Sequence, residues 1–250
     1  MNSTYKQLEE NLESLGLTQI KEHLTEVASL VSGNTLSFTD GLLKLTNYEV
    51  DYKMENASKS MVKVAAFPFI KELSDFDFDF QQGINKQEIL ELATLRFMEN
   101  NENIVFLGNS GVGKTHLATS IGIIAAKKRI STYFIKCHDL IQQLKKAKME
   151  NRLEAKLKYL NRYKLLIIDE LGYISIDESD SNLFFQLIDM RYEKKSTIIT
   201  TNMNFSNWDA IFNGAIVANA ILDRILHHSN VITITGNSYR IKEYVAEDIN

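Results

Sequence analysis

Eight residues near the middle of the chain, residues 108–115, constrain its fold more than any other segment. They read Gly-Asn-Ser-Gly-Val-Gly-Lys-Thr and fit the pattern GxxxxGK[ST]. An apolar segment, residues 104–107, precedes them, and an amphipathic segment from His116 to Ala125 follows. A strand, a glycine-rich turn and a helix in this order are typical of a phosphate-binding loop, in which backbone N–H groups surround phosphate oxygens. A glycine turn without a ligand is the alternative, and both the flanks and the spacing argue against it.

This loop assigns a chemical role to several side chains. Lys114 is expected to bridge the β- and γ-phosphates of a bound nucleotide, and Thr115 is expected to hold Mg²⁺ through its hydroxyl. The helix that begins here adds partial positive charge at the same point. The residues expected to contact the nucleotide are Gly108, Asn109, Ser110, Gly111, Val112, Gly113, Lys114, Thr115 and His116.

Polar side chains that end two later strands are expected to complete the site. Residues 165–168 form an apolar, β-type segment, and Asp169 and Glu170 follow it directly. Because ligands bind at the carboxyl ends of strands in open α/β sheets, Asp169 is expected to orient the Mg²⁺ shell and Glu170 to act as general base on water. A surface carboxylate pair is the alternative. Another strand ends at Asn202, which either positions that water or the γ-phosphate, or simply forms a turn.

Two arginines are candidates for contacts with the nucleotide. Arg224 lies in a predicted helix and is a candidate arginine finger, which would reach a γ-phosphate bound by a neighbouring subunit. The alternative for Arg224 is an ion pair inside its own subunit, with Asp223 or another carboxylate. Arg240 is a second candidate, and a solvated or structural arginine is its alternative.

Sequence periodicity divides the chain into three parts. Residues 1–70 show apolar positions at helical spacing and predict a small all-helical domain, and residues 71–83 predict a linker. Residues 84–250 alternate strands with helices, which predicts an α/β domain with a parallel, doubly wound sheet. Its strands are predicted at residues 104–107, 132–136, 165–169, 197–201 and 231–234.

Positive charge is concentrated in one segment of an otherwise acidic chain. The net charge is −4, but residues 127–164 contain twelve Lys and Arg against three Asp and Glu. This asymmetry favours a localised anionic partner, and a single helix would place Lys145, Lys148, Arg152 and Lys156 on one face. Such a row suits a DNA backbone, and a solvated lysine face is the alternative. The residues expected to contact DNA are Lys145, Lys146, Lys148, Arg152 and Lys156.

Composition restricts the compartment. The 250 residues contain a single cysteine, Cys137, which excludes an intramolecular disulfide and fits a reducing environment. No apolar run approaches the roughly 18 residues of a membrane span, and the polar amino terminus is unlike a signal peptide. We therefore expect a cytoplasmic protein without a membrane partner.

Taken together, these motifs resemble the IstB-like transposition helper ATPases, which belong with the DnaC- and DnaA-type AAA+ proteins. The similarity runs through nearly the whole chain. The Asp-Glu-Leu-Gly-Tyr and Ser-Tyr-Arg sequences point to IstB-like members in particular. The segments that carry the resemblance are residues 108–118, 167–173, 196–202, Phe205 with Trp208, 222–228 and 236–240.

The resemblance implies roles and partners beyond those that the residues indicate. Lys114, Thr115, Asp169 and Glu170 match Walker A and B positions, Asn202 a sensor position, Arg224 the arginine finger and Arg240 a second sensor. It implies an AAA+ ATPase that uses ATP and Mg²⁺, forms homo-oligomers with ATP at subunit interfaces, assembles on duplex DNA and assists an integrase-type transposase. It also implies an absent or truncated helical lid, since only 48 residues follow Asn202.

Three other functions remain open at this stage. The first is a DnaC-like replicative helicase loader, which would bind single-stranded DNA. The second is a scaffold that binds nucleotide without hydrolysing it, which the Asp169–Glu170 pair argues against. The third is a small-molecule kinase, for which the sequence shows no acceptor pocket.

Overall fold

The computed structural model describes residues 3–241 of the chain. The chain divides into two compact units at Ser60 and Met61, before the domain boundary expected at residue 70. The segment 71–83, expected to be a linker, lies inside the second unit.

The first unit is helical. Gly16 separates its first two helices with a φ of +64°, a left-handed conformation that glycine adopts without strain. Ser37 caps the third helix: the backbone N–H of Asp40 donates to Ser37 Oγ, which donates in turn to the Asp40 carboxylate. The helices are α1 (Ser3–Ser14), α2 (Thr18–Ser32) and α3 (Phe38–Val64).

A buried carboxylate joins α2 to α3. Glu49, on α3, is 4% exposed, and its Oε2 accepts hydrogen bonds from the backbone N–H groups of Gln19 (2.8 Å) and Ile20 (3.2 Å). These N–H groups lie in the first turn of α2, where an anion satisfies unpaired donors and complements the helix dipole. A long-range contact therefore caps this helix.

The second unit alternates strands and helices. Three short 3₁₀ helices, residues 73–75, 96–98 and 205–207, lie between its regular elements, and a fourth, residues 239–241, follows the last strand. The elements are α4 (Lys86–Ala93), β1 (Asn103–Gly108), α5 (Lys114–Lys127), β2 (Thr132–Lys136), α6 (Cys137–Met149), α7 (Leu153–Asn161), β3 (Leu165–Leu171), α8 (Glu178–Arg191), β4 (Ser196–Thr201), α9 (Trp208–Ile211), α10 (Ala215–Leu226) and β5 (Ser229–Ile234).

The five strands form one parallel sheet in the order β2-β3-β4-β1-β5. The register pairs Lys136 with Asp169 and Leu107 with Thr201, so the carboxyl ends of four strands meet at one edge. Separate apolar cores cover the two faces of the sheet, and the doubly wound α/β prediction is confirmed. One core includes Leu140, Phe184, Leu187 and Ile221, and the other includes Ile89, Leu117 and Ile121.

The part of the chain that the structure describes ends soon after β5. After β5 the structure describes only residues 235–241, which contain one 3₁₀ turn, and this stretch holds no helical lid. None of the described helices is both long enough and apolar enough to span a bilayer.

The prediction of one continuous basic helix is wrong. Asn151 adopts a left-handed φ of +54° and ends α6, while the Arg152 N–H returns to the Ala147 carbonyl at 2.8 Å. Asparagine tolerates this conformation better than most residues, so ending the helix here costs little conformational free energy. Lys145 and Lys148 therefore lie on α6, Arg152 precedes α7, and the predicted row does not form.

Candidate active site

The turn between β1 and α5 has the backbone shape of a phosphate-binding loop. Gly111 and Gly113 take φ values of +82° and +100°. A Cβ on Gly111 would lie 1.9 Å from Ser238 Oγ, and one on Gly113 would lie 2.5 Å from the ring of Phe76. Both conformation and space therefore require glycine, as predicted for a loop whose N–H groups turn inward.

Lys114 begins α5 and is held against this loop. Its Nζ donates hydrogen bonds to the carbonyl oxygens of Gly108 (2.7 Å) and Asn109 (2.8 Å). Burial is the main cause that lowers the pKa of Lys114, and the nearby carboxylate of Asp169 opposes this effect. A buried ammonium group whose neighbours are mostly carbonyls favours a polyanion, so the loop fits a nucleotide phosphate chain.

Asp169 lies at the end of β3 and is 1% exposed. Thr115 Oγ1 donates to its Oδ1 at 2.9 Å, and Thr200 Oγ1 donates to the same oxygen at 2.5 Å. Burial raises the pKa of Asp169, and the two hydroxyl donors partly offset this rise. A carboxylate next to a threonine hydroxyl is an oxygen donor set that fits Mg²⁺.

Glu170 occupies a strained position beside Asp169. Its φ is +62°, and the pairing of β3 with β4 is irregular between Ile168 and Leu171. A non-glycine residue in this region costs on the order of 1–2 kcal/mol, and the hydrogen bond from its N–H to Thr200 Oγ1 (2.9 Å) helps to hold it there. The irregularity re-aims the side chain at the end of the strand.

A lysine from β2 contacts the side chain of Glu170. Lys136 Nζ lies 2.9 Å from Glu170 Oε2, and this pair raises the pKa of Lys136. About half of the Lys136 side chain and a third of that of Glu170 are exposed, so the ion pair is partly screened by water. The candidate base is therefore restrained by a cation on the neighbouring strand.

These side chains line one cavity of about 360 Å³, a size typical of small-molecule sites. Its second wall comes from residues 68–81, of which 68–70 were expected in the helical domain and 71–81 in the linker. Phe76 is buried against Gly113, and His116 Nε2 lies 3.0 Å from the Glu72 carbonyl oxygen. Gln81 donates to the Asn237 carbonyl at 2.8 Å and ties this wall to the segment after β5.

The segment after β5 also contacts the phosphate loop. The Tyr239 N–H donates to the Gly111 carbonyl at 2.9 Å, and both Tyr239 and Arg240 line the cavity. The charge of Arg240 contributes to the lowered pKa of Lys114. The structure therefore brings Arg240 to the cavity, next to the predicted phosphate site.

Comparison with known proteins identifies the family. The family described as IstB-like ATP binding protein matches residues 10–246 of this chain. The chain belongs to the IstB-like ATP-binding protein family. This IstB-like chain is 61% identical over 248 residues to a Bacillus thuringiensis subsp. berliner protein named as an ATP-binding protein of insertion sequence IS232, and the match covers 99% of both chains.

Solved structures confirm the predicted AAA+ phosphate-loop fold. The crystal structure of the DnaC helicase loader resembles the IstB-like chain with a TM-score of 0.52 and 25% identity, covering 73% of this chain and 99% of that one. AMPPCP-bound DnaA from Aquifex aeolicus resembles it with a TM-score of 0.57 and 18% identity, covering 73% of this chain and 56% of that one.

Five residues of the IstB-like chain that were predicted to bind or act on the nucleotide lie outside the cavity lining, namely Gly108, Asn109, Ser110, Asn202 and Arg224. Asn202 is exposed beyond the end of β4, whereas Thr200, two residues earlier, is buried and lines the cavity. Arg224 Nε forms an ion pair with Asp189 Oδ1 at 2.7 Å, and its guanidinium lies 4.6 Å from the centre of the Phe185 ring. The ion pair inside the subunit is therefore present, and a contact of Arg224 with a neighbouring subunit stays a prediction.

The five lysines and arginines predicted to contact DNA differ in their surroundings. Lys145 pairs with the buried carboxylate of Asp180 at 2.9 Å, and Arg152 pairs with Glu150. Lys156 lies over the ring of Tyr159, and burial lowers its pKa. The two others, Lys146 and Lys148, are exposed, and within residues 3–241 no carboxylate lies within ion-pair distance of them. Contact of these five residues with DNA stays a prediction.

Sequence reasoning missed several polar side chains of the cavity, among them Lys136, Thr200 and Tyr173. Lys136 and Thr200 reach the site because β2 and β4 flank β3, and the sequence alone did not reveal this strand order. Tyr173 donates to Ser110 Oγ at 3.1 Å from the loop after β3. The position of Tyr173 in the Asp-Glu-Leu-Gly-Tyr motif was an available signal, whereas Lys136 carried no local one.

Proposed function

We propose that this IstB-like chain hydrolyses ATP in an assembly on duplex DNA and assists an integrase-type transposase during target selection. The observation that carries the ATPase part is the convergence of Lys114, Thr115, Asp169 and Glu170 on one cavity. The insertion-sequence part is supported by the name of the relative that shares 61% of its residues.

The residues divide the hydrolytic chemistry among them. Lys114 and the loop N–H groups bind the β- and γ-phosphates, and Arg240 adds positive charge at the same end of the cavity. Thr115 and Asp169 would hold Mg²⁺, which when bound neutralises charge that develops on the phosphate oxygens. Glu170 accepts a proton from the attacking water as general base. A sensor role for Asn202 requires its side chain to turn towards the cavity.

A substitution of Glu170 tests the assignment of the base. Glu170→Gln keeps the shape of the side chain but lowers its basicity, so we expect turnover to fall by about 10²-fold or more while ATP binding persists. Glu154→Gln, which changes an exposed glutamate on α7, is the matched control and should hydrolyse ATP at the normal rate. Normal turnover by Glu170→Gln would show that the base is elsewhere.

A mixing experiment tests whether ATP lies at subunit interfaces. Lys114→Ala should abolish nucleotide binding, and Arg224→Ala should abolish hydrolysis if Arg224 acts on the neighbouring subunit's nucleotide. An equimolar mixture of the two inactive variants should then regain part of the activity, because some interfaces combine an intact loop with an intact arginine. A mixture as inactive as its components would show that Arg224 does not act on the neighbouring subunit's nucleotide and that its role is the ion pair with Asp189.

A helicase loader is the second candidate, favoured by the 25% identity to the DnaC helicase loader. The two functions differ in the nucleic acid that they bind and in their protein partner. We expect ATP-dependent assembly on duplex DNA and capture of an integrase-type transposase. Preference for single-stranded DNA together with capture of a hexameric helicase would establish the loader instead.

A further inference from the structure

A lysine-lined groove lies at the edge of the sheet opposite the candidate active site. Four lysines line this cavity of about 450 Å³, and they come from three separate turns that precede β2, β3 and β4. We call this surface the basic groove, and it comprises Lys128, Lys164, Lys194, Lys195 and Ser196. Strands of five to seven residues separate its edge of the sheet from the nucleotide edge, which corresponds to roughly 17–23 Å.

Few acidic side chains lie close enough to compensate the positive charge of the lysines in the basic groove. Among residues 3–241, no Asp or Glu lies within ion-pair distance of any of the four, and Glu99 is the one acidic side chain in the lining. Lys195 donates to the Asn161 carbonyl and Lys128 to the Thr94 carbonyl, which orients both ammonium groups without neutralising them. The groove therefore carries net positive charge.

A buried arginine adds to this charge from behind the groove. Arg191, at the end of α8, is 2% exposed, and burial lowers its pKa to about 9. Its guanidinium donates to the carbonyl oxygens of Tyr163 (3.0 Å) and Ser196 (2.5 Å) and to Thr197 Oγ1 (3.0 Å). These acceptors are neutral, so the cation is hydrogen-bonded but not neutralised, and it fixes the turns before β3 and β4 to each other.

An unpaired hydroxyl supplies an independent sign of a ligand. Ser196 is 1% exposed and lines the groove, yet its Oγ has no hydrogen-bond partner within the part of the chain that the structure describes. Buried polar atoms are nearly always paired, and a hydroxyl can donate to an oxyanion. A phosphate oxygen in the groove would satisfy this donor and offset the surrounding positive charge.

We propose that the basic groove binds the phosphate backbone of duplex DNA. This inference rests on the proposed function, because it names the surface through which the assembly holds its DNA. Lysine ammonium groups on separate turns suit a chain of phosphates, and exposed Arg129 and Arg162 extend the charge on the same turns. Ammonium groups offer no fixed pattern to base edges, so binding here is tolerant of sequence. The opposite edge of the sheet remains available to the nucleotide.

Salt dependence of DNA binding tests the groove. Each phosphate contact contributes about 0.9 to the slope of log association constant against log salt concentration, so Lys164→Ala/Lys194→Ala should reduce the slope by about 1.8. The matched control, Lys63→Ala/Lys86→Ala, removes two exposed lysines that lie outside both the groove and the five residues predicted to contact DNA, and should reduce the slope by less than about 0.5 on the same scale. Lys164→Arg/Lys194→Arg should keep the wild-type slope, since charge rather than shape provides the contact.

The outcomes separate the two proposals. A wild-type protein that ignores duplex DNA at low salt, with or without ATP, overturns the proposed function and the groove with it. If the wild-type protein binds duplex DNA but the slope of the groove variant falls no more than that of the Lys63→Ala/Lys86→Ala control, the groove proposal alone is overturned. Displacement of the duplex by polyglutamate as effectively as by an equal charge of DNA would show that the groove takes an acidic polypeptide instead.

Discussion

Thr200→Val removes a hydroxyl that joins both carboxylate residues of the site while nearly preserving the shape of the side chain. Thr200 is 1% exposed, and its Oγ1 donates to Asp169 Oδ1 at 2.5 Å and accepts from the Glu170 N–H at 2.9 Å. Loss of a hydrogen bond to a charged group costs about 1.5–3 kcal/mol, and an unpaired buried N–H costs about 1–3 kcal/mol. Since Thr115 still donates to Asp169, we expect the free energy of unfolding to fall by about 3 kcal/mol.

Urea unfolding measures this loss, because the single tryptophan, Trp208, is fully buried in the same unit. With a slope of about 2–3 kcal/mol per M, the midpoint should shift down by about 1 M. Thr200→Ser is the matched control, because it keeps the hydroxyl and loses one methyl group, at a cost of about 0.8 kcal/mol. Mg²⁺-dependent affinity for a non-hydrolysable ATP analogue should fall in the valine variant and persist in the serine variant.

The valine variant can also refute the reasoning. If its unfolding midpoint matches that of the wild type, the two hydrogen bonds contribute no net stability and Asp169 is positioned by something else. If the serine variant loses as much stability as the valine variant, the methyl group rather than the hydroxyl is what the structure needs at this position.

Three further predictions concern the same cavity. Lys136→Met should raise basal turnover up to about fivefold, because a partly exposed ion pair with Glu170 contributes about 1 kcal/mol or less. A fall in kcat would contradict a restraining role of Lys136. Gly113→Ala should lower the urea midpoint far more than Gly16→Ala, because both have positive φ but only the former meets an aromatic ring; equal shifts would contradict the clash. Burial raises the pKa of Asp169, so on acidification Mg²⁺-dependent nucleotide affinity should be lost at a pH above the usual pKa range of an aspartate, as titration calorimetry would measure. The free energy of unfolding, relative to that of Asp169→Asn, should fall as the pH rises from the usual aspartate pKa through the raised pKa of Asp169. Urea unfolding against pH measures this second effect.

Local motifs predicted the part of the site that is built from neighbouring residues. The phosphate-loop pattern and the apolar strand before Asp169 each depend on a few adjacent positions, and the structure places residues 111–115 together with Asp169 in one cavity. The contacts of Thr200 and Lys136 depend instead on which strands are neighbours in the sheet. Strand order is a property of long-range packing, and the pattern of a single strand does not contain it.

Helix ends were predicted less well than helix existence. The basic segment was expected to form one helix, but α6 ends at Met149 and α7 begins at Leu153. The helix α4 ends at Ala93, and Leu95 takes a left-handed φ of +73°. A leucine in the sequence does not predict a left-handed conformation, whereas an asparagine such as Asn151, at the break between α6 and α7, favours one.

The opposite ends of β3 and β4 carry the two proposed sites, and this arrangement constrains how nucleotide can influence DNA binding. Asp169 and Thr200 lie at one end, and Lys164 and Ser196 at the other, while the residues between them are fully buried in the sheet. Close-packed strands of this kind shift as rigid units, so occupancy of the cavity has no evident route to the shape of the basic groove. A nucleotide-dependent change in DNA affinity is therefore expected to come from the number of subunits, since each added subunit brings another groove to the same duplex.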